Sequence, residues 1–200
     1  MAVAAPSVQE RRDTRAEKRR RRLADAALEL FAARGYNVTS VEEIVVRARM
    51  SKSAFYEFFS SKEHCFRELL TLEGGALIDS VLTNAAAGRN HHERLRLGIT
   101  TFVRSCFERS AVARVLIVES VGLSAGVDQV RHDLQSRFAD AVAEEVRHAT
   151  PHDPFFADKE PVVFGRAVVG AVNEAVGYFL THPGADADSL AESLCLIFAP

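Results

Sequence analysis

The stretch that decides the fold is residues 23–70, LADAALELFAARGYNVTSVEEIVVRARMSKSAFYEFFSSKEHCFRELL. Leu23, Ala26, Ala27, Leu30 and Phe31 recur at i, i+3, i+4, i+7 and i+8, one apolar face of a helix that Gly35 can end. Val41, Ile44, Val45 and Ala48 repeat the pattern over only two turns. Two capping-box spacings precede them, Thr39 with Glu42 and Ser40 with Glu43; in either, hydroxyl and carboxylate satisfy the backbone N–H groups left over at a helix start. Past a break at Arg49-Met50, Ser51 caps a third short helix whose inward members are Phe55 and Phe59. Ser60 and Glu63 show the box spacing again and open a fourth helix, with Phe66, Leu69 and Leu70 on its apolar side and its end near Thr83.

Outward from this core, residues 1–14 mix Ala, Pro, Ser and charge without a period, which predicts a disordered arm. Downstream, helical periods cover roughly 91–109, 111–122, 127–149, 158–181 and 187–198, parted by Gly88, Gly126, Pro151 to Pro154 and Pro183-Gly184. There is no alternating strand of useful length, internal repeat or glycine-rich phosphate loop. The fold class is all-α: a three-helix domain over 15–70 and a helical bundle over 71–200.

Composition agrees with a globular chain. Its 200 residues are 48% hydrophobic and 26% charged, which favours neither disorder nor a fibre. Cys65, Cys106 and Cys195 are too widely spread for a zinc motif and are odd in number, so reduced thiols in a cytoplasmic protein are expected. The N-terminus lacks a signal-peptide hydrophobic run, and no segment is expected to reach bilayer-spanning apolar length. The net charge of −2 hides an asymmetry: residues 1–70 hold 14 Lys+Arg against 10 Asp+Glu, and residues 71–200 hold 11 against 17, giving +4 and −6. A basic first third attracts a polyanion, and the run Arg19 to Arg22 sharpens that attraction.

Three helices, the second and third short and joined by a tight turn, are what a helix-turn-helix requires; its last helix offers N-terminal residues to the DNA major groove. Over almost its full length, the stretch also resembles the DNA-binding domain of the TetR family. The resemblance is carried by Phe31 with Gly35-Tyr36, Thr39-Ser40-Val41, Ile44, Ala48, Ser51-Lys52, Phe55-Tyr56, Phe59 and Ser61-Lys62-Glu63. It implies that Ser40, Ser51, Tyr56 and Lys62 contact phosphates, while Lys52, Ser53 and Ala54 lie against base edges or the adjoining backbone. Hydroxyls, an ammonium and helix N-terminal N–H groups suit phosphate. Ser53, the Ala54 methyl and Glu57, a possible acceptor from a cytosine amine, are the candidates for reading sequence. Arg19 to Arg22 are candidates for further backbone or minor-groove contacts. Arg49 stands where the family usually has glycine; if the turn is left-handed, a phosphate contact by Arg49 is expected to offset the strain. Ser60 replaces a frequent proline and can act as a cap.

For residues 71–200 the resemblance is one of architecture, and implies a domain for effector binding and dimerisation. PVVFGRAVVGAVNEAVGYFLTHP is apolar around most of its circumference, with Gly165, Gly170 and Gly177 permitting close approach. The last helix, with Leu190, Leu194, Ile197 and Phe198, is amphipathic. In the family these two helices pair with their symmetry mates. Polar or aromatic residues within apolar helices, Phe102, Cys106, Glu119, His132, Asn173 and Glu174, are pocket candidates for a largely apolar small effector. No cofactor and no metal are expected, since the adjacent His91 and His92 point apart on a helix. No nucleophile with its base and no paired carboxylates show an enzyme spacing. The expected function is a ligand-responsive dimeric repressor on a palindromic operator, the alternative a helical interaction module without DNA binding.

Overall fold

The computed structural model describes residues 8–182, 184 and 186–200, with side chains from Thr14 onward. The helices are α1 (Val8–Arg34), α2 (Val41–Arg47), α3 (Lys52–Phe58), α4 (Lys62–Ala85), α5 (His91–Glu108), α6 (Ser110–Ala113), α7 (Ala125–Ala149), α8 (Pro161–Thr181) and α9 (Ala187–Phe198); a π-helical segment, Arg114–Glu119, follows α6. No strand occurs among the described residues. The chain divides into two compact units, residues 1–69 and 70–200.

The first unit is built as its apolar periods require. Leu23, Ala27, Phe31, Ile44 and Phe55 are fully buried, and Phe59 is nearly so. Phe31, Tyr36 and Phe66 form an aromatic cluster with centroids 4.9 to 5.4 Å apart, closing the end of α1 on the start of α4. α1 ends at Gly35, whose φ of 92° no L-residue adopts cheaply. Of the arm expected at 1–14, residues 1–7 lie outside those described, and residues 8–14 are helical, a correction. The segment 8–22 lacks an apolar stripe but is rich in Arg, Lys, Glu, Gln and Ala, all good helix formers, so propensity extends the helix where periodicity is silent.

Of the two capping boxes open at the start of α2, Ser40 with Glu43 is the one formed. The Ser40 hydroxyl accepts from Glu43 N–H at 3.2 Å, and the Glu43 carboxylate accepts from Ser40 N–H at 2.8 Å. Thr39 is buried and donates instead to Gly35 O at 2.8 Å. At α4 the box spacing misleads by one residue: Ser61 accepts from His64 N–H at 3.0 Å, while Ser60 N–H donates to His64 Nδ1 at 3.1 Å. The Glu43 carboxyl is held down to about 2 by the Ser40 N–H, the Arg34 guanidinium and the Ser40 hydroxyl. Its folded value lies below the ordinary 4.5, so its stabilisation is complete above that pH and is lost as pH falls toward 2. Acid unfolding followed by circular dichroism is expected to show a shallower pH dependence across this window in Glu43→Gln; an unchanged profile would count against the box.

In the second unit α8 packs along α7 and α9 along α5. The core includes Phe102, Val103, Cys106, Phe138, Val142, Val168, Val172, Leu190 and Leu194. Gly126, expected to break a helix, is instead its second residue, because Ser124 caps α7 by accepting from Val127 N–H at 3.2 Å. Gly165 marks the tightest crossing: a Cβ there would lie 2.3 Å from the Ala139 carbonyl oxygen. Buried Glu73 on α4 pairs with Arg109 at the end of α5. The expectation that no segment reaches bilayer-spanning length is corrected at α8, a 21-residue helix long and apolar enough by length and composition. Arg166 and Glu174 interrupt its apolar run, yet the remaining positions carry the average, and one face, Gly165, Val168, Val169, Val172 and Val176, is buried in this fold.

Candidate nucleic-acid interface and effector pocket

The turn between α2 and α3 is a six-residue helix stop. Arg49 N–H donates to Val46 O at 3.0 Å and Met50 N–H to Val45 O at 2.8 Å, which places Arg49 at the left-handed position with φ 52°. Arg49 is the residue outside glycine with positive φ among those described, and its side chain is exposed. The Arg22 guanidinium braces the same turn from α1, donating to Ala48 O at 2.7 Å.

α3 starts at Ser51, whose hydroxyl accepts from Ala54 N–H at 3.2 Å and lies 2.9 Å from the Ser53 hydroxyl. Phe55 and Phe59 anchor the helix inward, leaving Ser51, Lys52, Ser53, Tyr56 and Glu57 exposed, with Tyr56 at 52%. Ala54 is different: at 6% exposure its methyl is in the packing, one helical step from Phe55. Tyr56 leans edge-on against Phe55 at 5.5 Å, so the phenol is oriented without being covered.

Nearly every cation around this surface already has an acid. Lys52 pairs with Glu42, which raises the ammonium and lowers the carboxyl. Arg19 meets Glu57 at 3.0 Å, Arg21 meets Asp25 at 2.8 Å, and Arg20 pairs with Glu68. The Arg19 to Arg22 run is thus engaged within the chain. Arg49 forms no ion pair among the described residues. Lys62 does not lie open to a phosphate: its ammonium donates to Tyr36 O and Thr39 O, both at 2.8 Å, and sits 4.1 Å from the Tyr36 ring centroid. Burial pulls it below the ordinary lysine range. Ser40 is likewise tied into its box. Sequence reasoning missed this internal role of Lys62, because the two carbonyls it serves lie 23 and 26 residues away.

The second unit holds a pocket of about 230 Å³, lined by apolar side chains from α4, the π segment, α7 and α8, with Phe102 from α5. A π turn widens a helix and is frequent at functional sites; here it supplies Leu116 and Ile117. Of the candidates read from sequence, Phe102, Asn173 and Glu174 line this pocket. Cys106 does not; it is buried in the core, where burial pushes its thiol up to about 12. Glu119 closes the π segment, 3.9 Å from Arg114 Nε, and His132 is exposed, beside Ser136 at 3.4 Å. The residues missed on α7 are Arg131, Leu134, Gln135 and Phe138. They continue the period of Val127 at i+4, i+7, i+8 and i+11, so two polar members of an apolar stripe were the available signal, one position short of His132. A second pocket, about 260 Å³, lies against α4, α5, α7 and α8 and shares Phe138 with the first.

Among the described residues no cluster of three His, Cys, Asp or Glu could hold a metal. His91 faces Glu145 at 2.5 Å and His92 faces Asp153 at 2.9 Å.

Residues 23–69 match the model of bacterial regulatory proteins of the tetR family. The chain is 33% identical over 86 residues to the HTH-type transcriptional activator FasR of Mycolicibacterium smegmatis, covering 43% of this chain and 39% of FasR. It is 30% identical over 132 residues to the HTH-type transcriptional repressor KstR of Rhodococcus jostii, covering 64% of this chain and 61% of KstR. The matches therefore span less than two thirds of these relatives. In fold, the chain resembles the transcriptional regulator FadR of Bacillus subtilis solved with stearoyl-CoA: TM-score 0.82, 17% identity, 90% of this chain and 97% of that one.

Proposed function

We propose that this chain, whose residues 23–69 match the model of bacterial regulatory proteins of the tetR family, is a dimeric transcriptional repressor that binds a palindromic operator in the cytoplasm and is released by a small, largely apolar effector. The observation that carries the DNA-binding part is the capped, rigidly anchored α3. Phe55 and Phe59 fix its orientation, and Lys52, Ser53 and Tyr56 face outward beside Arg49, which has no ion pair among the described residues. Ser53 is the residue for reading base edges, while Tyr56, Lys52 and Arg49 position the backbone. Lys52 exchanges Glu42 for a phosphate on binding.

Dimerisation is supported by apolar surface on the last two helices. Val163 on α8 is 66% exposed, and Leu196 and Ile197 on α9 are 65% and 64% exposed. Such side chains on neighbouring helix faces gain by meeting a second copy. Two recognition helices must then sit about 34 to 36 Å apart to enter successive major grooves. An effector acts by favouring another spacing, and it weakens DNA only as far as its affinity differs between the two states. α4 is the element that would carry the change, since Leu70, Gly74, Leu77 and Ile78 form one wall of the larger unit's pocket.

The test is electrophoretic mobility shift on the gene's own upstream DNA, backed by a genome-wide binding selection, at stated salt. A sequence-specific shift is expected for the wild-type chain, weakened at least about tenfold in Tyr56→Ala with Lys52→Ala. Both side chains are exposed, so helix content should not change. Undiminished binding by the double variant, or no specific site in the selection, would refute the assignment of α3 as the recognition helix.

A further inference from the structure

We infer that the 230 Å³ pocket takes an amphipathic acid, an alkyl chain ending in a carboxylate, with Arg131 as the anchor of the acid group. This rests on the reading of that pocket as the effector site and names the class of its ligand.

The pocket wall is apolar except for four side chains, Arg131, Gln135, Asn173 and Glu174. Three of these, Gln135, Asn173 and Glu174, make no side-chain hydrogen bond among the described residues. Among the described residues Arg131 reaches Asp128 only at 3.5 Å, through Nη2, and its Nε, shut off from solvent, has no partner. A buried donor left unpaired is costly, and a guanidinium is built to take a carboxylate through two parallel N–H groups. Its side chain is 32% exposed, so the charge stands at the rim with the apolar wall beyond it. That arrangement sorts a ligand end for end: the acid stays at Arg131 and the chain enters among Leu77, Ile78, Leu116, Leu134 and Phe138.

Glu174 sets the competing possibility, a cationic head group. It is the more exposed of the two charges, on the outer part of α8, where water screens it. Arg131 is the less exposed of the two charges and is held only by a long 3.5 Å contact to Asp128, so its guanidinium favours the anion. Size limits the chain as well. An apolar cavity of about 150 Å³ holds a benzene-sized guest, so this pocket accepts a chain of about six to ten carbons. Phe138, stacked on Phe102 with centroids 5.5 Å apart, lines both this pocket and the second one.

Isothermal titration of the full-length protein without DNA, using decanoate, decanol, decylamine and decanoyl-CoA below their micelle concentrations, tests this. Decanoate is expected to bind about tenfold more tightly than decanol. Arg131→Gln should erase that difference while leaving decanol within about twofold, and Arg131→Lys should retain part of it. Because Arg131 bonds only within its own helix, circular dichroism of both variants should match the wild type. Decanoate binding that survives Arg131→Gln, tighter binding of decylamine, binding of decanoyl-CoA but not of free decanoate, or no binding of decanoate at all would each overturn the proposal. Mobility shift is read separately: a specific operator shift with no decanoate binding leaves the regulator standing and removes only the acid ligand.

Discussion

Gly165→Ala is expected to lower stability by about 2 to 3 kcal/mol and Tm by about 5 to 10 °C. The added Cβ would stand 2.3 Å from the Ala139 carbonyl oxygen and 3.2 Å from the Ala143 nitrogen. Both are backbone atoms of α7, so no rotamer change relieves the clash and the two helices must part. Parting them opens the packing of Val168, Val169 and Val172 against Ala139, Val142 and Ala143. Alanine's better helix propensity returns about 1 kcal/mol, which is too little to win. Gly75→Ala in α4 is the comparison: nothing lies within 4 Å of its Cβ, so only the propensity gain remains. Urea unfolding of the two variants should move in opposite directions. A Gly165→Ala protein as stable as wild type would mean that α7 and α8 do not cross this closely.

Arg49→Gly should do the reverse to stability and harm binding. A left-handed backbone costs a side-chain-bearing residue about 1 to 2 kcal/mol, and glycine removes that cost while adding about 0.5 to 1 kcal/mol of unfolded-state entropy. Tm is therefore expected to stay level or rise. Operator affinity is expected to fall about fivefold, with the slope of log affinity against log salt reduced by about 1, the signature of one lost phosphate contact. The expected contact is electrostatic: Lys52, Arg19, Arg20 and Arg21 are held by acids, whereas Arg49 is exposed at the turn with no ion pair among the described residues. Equal affinity and an equal salt slope in the glycine variant would leave the strained turn without a function in DNA binding.

Much of the DNA-binding unit was legible in residues 23–70. Local rules decide it: the period of Leu23 to Phe31, the caps Ser40 and Ser51, and a glycine at the end of α1 are all short-range features. Where two local readings competed, tertiary structure chose. Thr39 and Ser40 have equivalent capping spacings, but Thr39 is drawn under the end of α1 and spends its hydroxyl on Gly35 O. Ser60 and Ser61 differ in the same way, and His64 decides between them.

By itself, then, the sequence determined that the chain is all-helical, where most of its helices lie, that its first third is basic and that α3 is exposed and capped. Helix period, capping chemistry and charge act over a few residues, so they can be read along the chain. Only the tertiary structure decided which side chains remain free to act. Lys62 carries a plausible phosphate-binding ammonium, but folding places it on two carbonyls more than twenty residues away. Ala54 belongs to the inner face of a helix only two turns long, too short for a period to assign. In the pocket of the second unit, Arg131 rather than His132 lines the cavity, a difference of one residue and about 100° around α7. Such choices depend on the angle at which whole helices meet, a quantity set by the packing of residues distant in sequence.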